Sequence, residues 1–359
     1  MDLTNHTARF AEERPRYEKL TLKLQSLLRD LLASEGIEAT FDARTKSVES
    51  FDEKVARPGK AYQNPIDEIT DLSGVRVVLR TLEDVSRVES LIDREFLVDA
   101  ERSVKKSEQL DEDRFGYLSE HYIIQIKVPR SQLREWEGLS NLKAEIQVRT
   151  ILQHAWAAVQ HSLDYKSEYD IPKQLRRRLF RLSALFELAD QELDQISLDA
   201  RNLFAQYAAQ VKSDDGDIEL NTDSLRAYLE NSVVVSRWAK FIEGLGVTIG
   251  GIGMISRDVE IAMKVGLSTI REVDAILRAA HDWGEPYLRD FFKNTFGEPT
   301  PKGCSLDRNG VITIFLIGSF LDVLTDEVLE RQFGWGLPER ATRPARQYNP
   351  RANRHATSA

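Results

Sequence analysis

Three short segments of this 359-residue chain place polar residues at every second position. In Ala144–Arg149, Glu145, Gln147 and Arg149 point one way, and Ala144, Ile146 and Val148 point the other. In Gly116–His121, Tyr117, Ser119 and His121 share a side, and in Asp42–Lys46 so do Asp42, Arg44 and Lys46. A period of two is the period of a strand, so one sheet face would carry acid, amide, guanidinium, phenol and imidazole groups while the other builds a core. A half-solvated antiparallel sheet shows the same alternation, and for any one segment alone that plainer reading is favoured. The residue types argue for a polar cleft, because a solvated face is usually filled with Lys, Glu and Thr.

Ahead of the first clear strand lies a basic run of Arg44, Lys46, Lys54, Arg57 and Lys60. Arginine offers a planar fork and lysine a point charge, and both suit phosphate oxygens. On composition alone the run would read as a solubilising loop. Asp71 precedes an expected tight turn at Gly74 that feeds a buried strand. A carboxylate there could hold magnesium or simply cap the turn. Taken together, these residues suggest a site for a polyphosphate nucleotide. Asp71 and Glu145 would hold the metal, the basic side chains would neutralise phosphates, and Tyr117 would stack on a base.

The elements that must position them follow from periodicity. Residues 9–35 carry Leu20, Leu24, Leu27, Leu28, Leu31 and Leu32 at helical spacing, with Gly36 as a stop. Strands are expected at 75–79, 122–128 and 144–149, a helix at 84–93, and a further helix capped by Thr150 and running to about Tyr165. Strands mixed with helices make this an α/β or α+β domain. Residues 173–212 lack Gly and Pro and read as one long helix or two, ending at an acidic break over 214–217. Residues 223–295 are expected to be mainly helical, with Thr269 and Glu272 forming a capping box, and 311–316 could be a strand. The division expected is 1–212, 213–337 and a tail, 338–359, without order. The single cysteine, Cys304, excludes a disulfide framework and a cysteine-based zinc site. With 58 Asp and Glu against 49 Lys and Arg, the net charge of −9 argues against broad DNA coating, though not against a local basic pocket. No apolar stretch reaches the length of a membrane span and the N-terminus is polar, so the expectation is a cytoplasmic protein.

The motifs Asp71-x-x-Gly74-x-Arg76, Gly116-Tyr117-x-Ser119-x-His121 and Glu145-Ile-Gln-Val-Arg-Thr150, in that order, resemble the RelA/SpoT synthetase domain. Arg44-Thr-Lys46-Ser-x-x-Ser50-x-x-x-Lys54 upstream, and His154-Ala-Trp156 with His161-Ser-Leu-Asp-Tyr-Lys166 downstream, extend the resemblance over roughly residues 15–205. It implies an α+β, nucleotidyltransferase-like mixed sheet flanked by helices, followed by a mainly helical C-terminal region. It also implies transfer of the β,γ-diphosphate of ATP to the 3′-hydroxyl of GTP or GDP, with Mg2+ as cofactor. Carried over by position, Arg44, Lys46, Lys54 and Arg76 would bind ATP. Tyr117, Ser119, His121, Gln147 and Arg149 would serve the acceptor. Asp71 and Glu145 would bind the metal, with Glu145 also the base.

Two departures from the family pattern matter. The 43 residues ahead of Arg44 leave no room for the hydrolase domain of bifunctional members, so synthesis without degradation is expected. Asp113 stands where many alarmone-making members have a lysine on the acceptor side, and it would repel the 5′-phosphates of GTP. That keeps open a tRNA 3′-CCA end as acceptor, as in a toxic subgroup whose fused C-terminal domain restrains activity until a phage component is sensed. A catalytically decayed nucleotide-binding module is a third reading, which intact Asp71 and Glu145 oppose. Partners left open are a homo-oligomer and a protein trigger acting on the C-terminal region; a membrane and DNA are not expected.

Other features are read structurally. His154 and His161 lie on about one face of a helix but lack metal-site spacing. The glycines between 244 and 253 match no phosphate-loop pattern, and Trp238, Phe241 and Ile242 are expected in a core.

Overall fold

The structure is a computed structural model, and it describes residues 3–57, 59, 61–104, 120–162, 173–214 and 217–351. The chain divides into two compact units, 1–198 and 199–359, and the division falls inside a long helix.

The first unit is built on a five-stranded sheet in the order β1-β2-β5-β4-β3. The strands are β1 (Thr40–Thr45), β2 (Ser73–Leu79), β3 (Phe96–Val98), β4 (Glu120–Ile126) and β5 (Ala144–Thr150). Only β2 and β5 run parallel; the other pairs are antiparallel. The first unit is therefore α+β with a mixed sheet. Val75, Val77, Ile146, Val148, Tyr122 and Ile124 fill one sheet face, as alternation requires. Helix α1 (Leu3–Ser34) covers that face with Leu20, Leu24, Leu28 and Leu32, four residues apart on one ridge. Helix α4 (Leu82–Glu95), capped by the Thr81 hydroxyl, adds Val88, Leu91 and Ile92.

Three smaller helices complete this unit: α2 (Val48–Val55), α3 (Pro65–Glu68) and α5 (Ile151–Ser162). The Thr150 hydroxyl accepts from the Gln153 backbone N–H and so caps α5 as expected. Helix α6 (Lys173–Lys212) is one continuous 40-residue helix.

The second unit holds α7 (Thr222–Asn231), α8 (Val233–Gly244), α9 (Ser256–Lys264), α10 (Ile270–Ala279), α11 (Gly284–Phe296), α12 (Gly310–Ser319), α13 (Asp326–Phe333) and α14 (Glu339–Tyr348). A two-stranded parallel ribbon, β6 (Thr248–Ile249) with β7 (Ser305–Leu306), joins them. The capping box of Thr269 and Glu272 forms at α10. Trp238 and Ile242 are buried core residues, and Phe241 packs against them.

Two expectations fail here. Residues 311–316 are not a strand but most of α12, which is buried on every side. A β-branched apolar run buried all round has no periodicity to separate helix from strand. The stretch 339–348 is not without order but forms α14, which buries Ala341, Thr342 and Ala345. Its buried stripe is made of small residues, too weakly hydrophobic to register among the arginines. Among the described residues, no helix is long and apolar enough to cross a membrane.

Gly284, at the start of α11, lets that helix approach Trp238 of α8 and Phe315 of α12. A Cβ there would stand 2.6 Å from a ring carbon of Trp238 and 2.9 Å from Phe315. Both rings are buried, so they cannot swing aside. Gly284→Ala is expected to destabilise the second unit by about 1–3 kcal/mol, read as a lower urea midpoint. An unchanged midpoint would contradict this packing.

Candidate active site

The sheet face opposite the core is organised by register. Arg44, Gly74 and Glu145 lie in one row across β1, β2 and β5. Asp42, Arg76, Gln147 and His121 lie in the next row, across β1, β2, β5 and β4. Side chains in one row share a face, so pairing alone gathers residues from four segments. Gly74 is not in a turn, as expected from sequence, but inside β2. Its place in the row carries no side chain, which leaves a notch between Arg44 and Glu145. Asp42, Arg44, Asp71, Arg76, Glu145 and Gln147 line the concavity at that notch.

Asp71 enters just before β2. Lys46, following β1, meets its Oδ2 at 2.9 Å, and Lys54 on α2 donates to its Oδ1 at 2.9 Å. The Ser47 hydroxyl caps α2 and so fixes where Lys54 emerges. Burial pushes the Asp71 carboxyl up, but the hydrogen bonds and charges of Lys54 and Lys46 outweigh it and hold the pKa below the ordinary range.

Glu145 has both oxygens engaged. His121 Nδ1 lies 2.7 Å from its Oε1, and Gln147 Nε2 donates to its Oε2 at 3.0 Å. Arg149 Nη2 donates in turn to Gln147 Oε1 at 2.6 Å. Burial raises the Glu145 pKa and the Asp71 charge adds to that, yet His121 and Gln147 bring the net shift downward. Arg149 is 6% exposed, and burial together with the Arg76 charge pushes its pKa down to about 10, so it stays cationic at neutral pH. Burial and the Arg76 and Arg149 charges also lower His154 on α5.

The face thus holds five cations (Arg44, Lys46, Lys54, Arg76 and Arg149) against three acids (Asp42, Asp71 and Glu145). Arg76 is paired with Asp42 at 3.1 Å. Among the described residues of the face the surplus is positive, which suits an anionic ligand. Asp71 and Glu145 supply oxygen donors held ionised, and magnesium typically takes one or two carboxylates plus substrate phosphates and water. The donor set therefore fits Mg2+. Among the described residues no cluster of three or more metal-ligating side chains occurs.

Of the residues expected from sequence, Arg44, Lys46, Lys54, Asp71, Arg76, His121, Glu145, Gln147 and Arg149 come to this face. Tyr117 and Ser119, with Asp113, Lys60 and Lys166, lie outside the described residues. Sequence reasoning missed the support behind β5. The Thr150 hydroxyl donates to Asp190 on α6 at 2.6 Å, and the Glu83 backbone N–H donates to Asp194 at 2.9 Å. No local signal marks a contact spanning forty residues, and Asp190 and Asp194 are two acids among many charges on α6.

Sheet and site together define a class: an α+β protein that gathers two ionised acids and an excess of cations on one open sheet face. The chain belongs to the RelA/SpoT family. Residues 43–170 match the family described as "Region found in RelA / SpoT proteins". The chain is 30% identical over 154 residues to GTP pyrophosphokinase YwaC of Bacillus subtilis, covering 42% of this chain and 70% of that protein. It is 26% identical over 203 residues to GTP pyrophosphokinase YjbM of the same organism, covering 55% of this chain and 91% of the relative. Among solved structures, it is similar to the small alarmone synthetase 1 from Bacillus subtilis at 24% identity, TM-score 0.45, covering 54% of this chain and 98% of that one.

Asp190 gives this site a measurable pH signature. It is 1% exposed, and burial with the Asp194 charge pushes its pKa up to about 7. The unfolded chain releases this proton near pH 4. Between those values the folded state holds the extra proton, so stability falls as pH rises from about 4 to about 7. Asp190→Asn is expected to shrink that fall in denaturant midpoint; the same fall in both proteins would contradict it.

Proposed function

We propose that this chain is a pyrophosphokinase that transfers the β,γ-diphosphate of ATP to the 3′-hydroxyl of GTP or GDP, making (p)ppGpp and AMP. The observation that carries the reading is the pairing of Asp71 with Glu145 in one concavity, both held ionised inside a ring of cations. The relatives' names, GTP pyrophosphokinase, agree with it.

In this reading Lys46 and Lys54 exchange Asp71 for phosphate oxygens, with Arg44 and Arg76 holding the rest of ATP. Magnesium bound at Asp71 and Glu145 would neutralise phosphate charge. Glu145 receives the proton of the attacking hydroxyl, oriented by His121 and Gln147. A carboxylate of lowered basicity is a weak base. Alignment and charge neutralisation therefore supply most of the acceleration, as phosphoryl chemistry favours. Tyr117 stacks on the acceptor base, and Ser119 and Arg149 complete that side.

The test is γ-labelled ATP incubated with GTP, with GDP or with deacylated tRNA. Label in guanosine nucleotide is expected; label in tRNA alone would replace the acceptor, and label in neither would end the reading. Glu145→Gln is expected to lower turnover by about 10²-fold or more; unchanged turnover would remove Glu145 as base. Tyr117→Ala is expected to weaken acceptor binding by ~1–3 kcal/mol while sparing ATP binding. Equal loss of both in binding assays would contradict the stacking role.

A further inference from the structure

The second unit holds a cavity of about 510 Å³. Much of its lining is apolar, from Ile261, Phe291, Leu306, Ile314 and Trp335. The rest is polar: Arg257 and Asp258 in the first turn of α9, Asp307 after β7, and Asn309 and Thr313 where α12 begins. A hollow of this size, largely apolar with a few convergent polar groups, is the make-up of a small-molecule site.

Its polar part contains two opposite charges, and among the described residues neither has an ionic partner. The Arg257 Nη2 is buried and has no hydrogen-bond acceptor. Asp258 is 4% exposed, and its carboxylate is held by neutral donors, the Asn309 amide at 2.7 Å and the Thr313 hydroxyl. Asn309 is itself fixed: its Oδ1 accepts from the Gly253 backbone N–H at 2.8 Å, which leaves its amide nitrogen for Asp258. Arg257 and Asp258 are adjacent on α9, and adjacent helical residues do not face each other. Burial pushes the Asp258 pKa up further than Thr313, Asn309 and the Arg257 charge pull it down. A carboxylate offers about four acceptor sites, so these two bonds leave room for more donors. A buried guanidinium nitrogen without an acceptor and a buried acid without a cation both cost free energy until a partner arrives.

We infer that this cavity binds a free α-amino acid with a large apolar side chain. The ligand carboxylate accepts from Arg257 Nη2 and its ammonium donates to Asp258. Asp307, exposed at the same cavity, adds a second negative charge for the ammonium. The side chain lies against the apolar lining of Phe291, Ile314 and Trp335. A zwitterion carries both missing charges on one small framework. A plain anion would leave Asp258 without a cation and would meet two carboxylates. A plain amine would leave Arg257 without an acceptor. A polar side chain would lose its water against the apolar lining without regaining hydrogen bonds. The inference concerns the second unit alone and does not rest on the reaction proposed for the first.

Titration calorimetry of the full chain with L-leucine, L-methionine, L-phenylalanine and L-tryptophan in turn tests this. Saturable one-to-one binding of at least one is expected; no binding of any of them up to about 10 mM overturns the inference. For the amino acid that binds, the N-acetyl derivative lacks the ammonium and the decarboxylated amine lacks the carboxylate. Each loss is expected to weaken binding about tenfold or more, and an analogue that binds as tightly as its parent overturns the zwitterion assignment. Arg257→Gln is expected to weaken binding by a similar factor of about ten. Its thermal melt without ligand should not fall, because Arg257 Nη2 has no partner in the protein. Unchanged affinity in Arg257→Gln overturns the site. Should that variant fold poorly, Asp307→Asn decides at an exposed position: a loss of about threefold is expected, and no loss overturns the site.

Discussion

Two carboxylates share one concavity, and everything at the site depends on keeping both ionised. Like charges sharing a site push one pKa up, because each disfavours ionisation of the other. Burial pushes in the same direction. Yet Asp71 and Glu145 are both shifted down. The cations and donors around them therefore outweigh repulsion and desolvation together. Lys46 and Lys54 do this for Asp71, while His121 and Gln147 do it for Glu145.

The fold supplies that arrangement through strand register more than through loops. The parallel pair β2 and β5 sets Gly74 beside Glu145 and Arg76 beside Gln147, and β1 adds Arg44 and Asp42 from the other edge. A side chain in place of Gly74 would stand in the notch. Behind β5, the Thr150–Asp190 hydrogen bond ties the end of the strand to α6. A sheet strand is a stiff mount, and reactions that rest on alignment need stiff mounts.

Much of this was legible from residue order. Alternation in Ala144–Arg149 gave both the strand and the shared direction of Glu145, Gln147 and Arg149, because a strand's period forces it. The leucines of α1 gave its buried face for the same kind of reason. What stayed hidden was non-local or without period. The pairing of Lys46 and Lys54 with Asp71 needs the antiparallel β1–β2 pair and α2 in place before it exists. Gly74 suggested a turn, but its reason is the space above the sheet. Helix α12 reads as a strand because burial on all sides erases amphipathicity, and α14 hides its small buried stripe among arginines. Residues 338–351 show that a tail rich in charge can still carry enough alanine to pack.

The central proposal is that Lys46 and Lys54, paired here with Asp71, would turn to the phosphates of ATP, and that Asp71 and Glu145 would together receive a metal ion. A crystal structure with magnesium and a non-hydrolysable ATP analogue tests this directly. The account predicts one cation bound by both carboxylates, with the two lysine ammonium groups moved from Asp71 onto phosphate oxygens. Lysines still paired with Asp71, or a cation held away from Glu145, would contradict it.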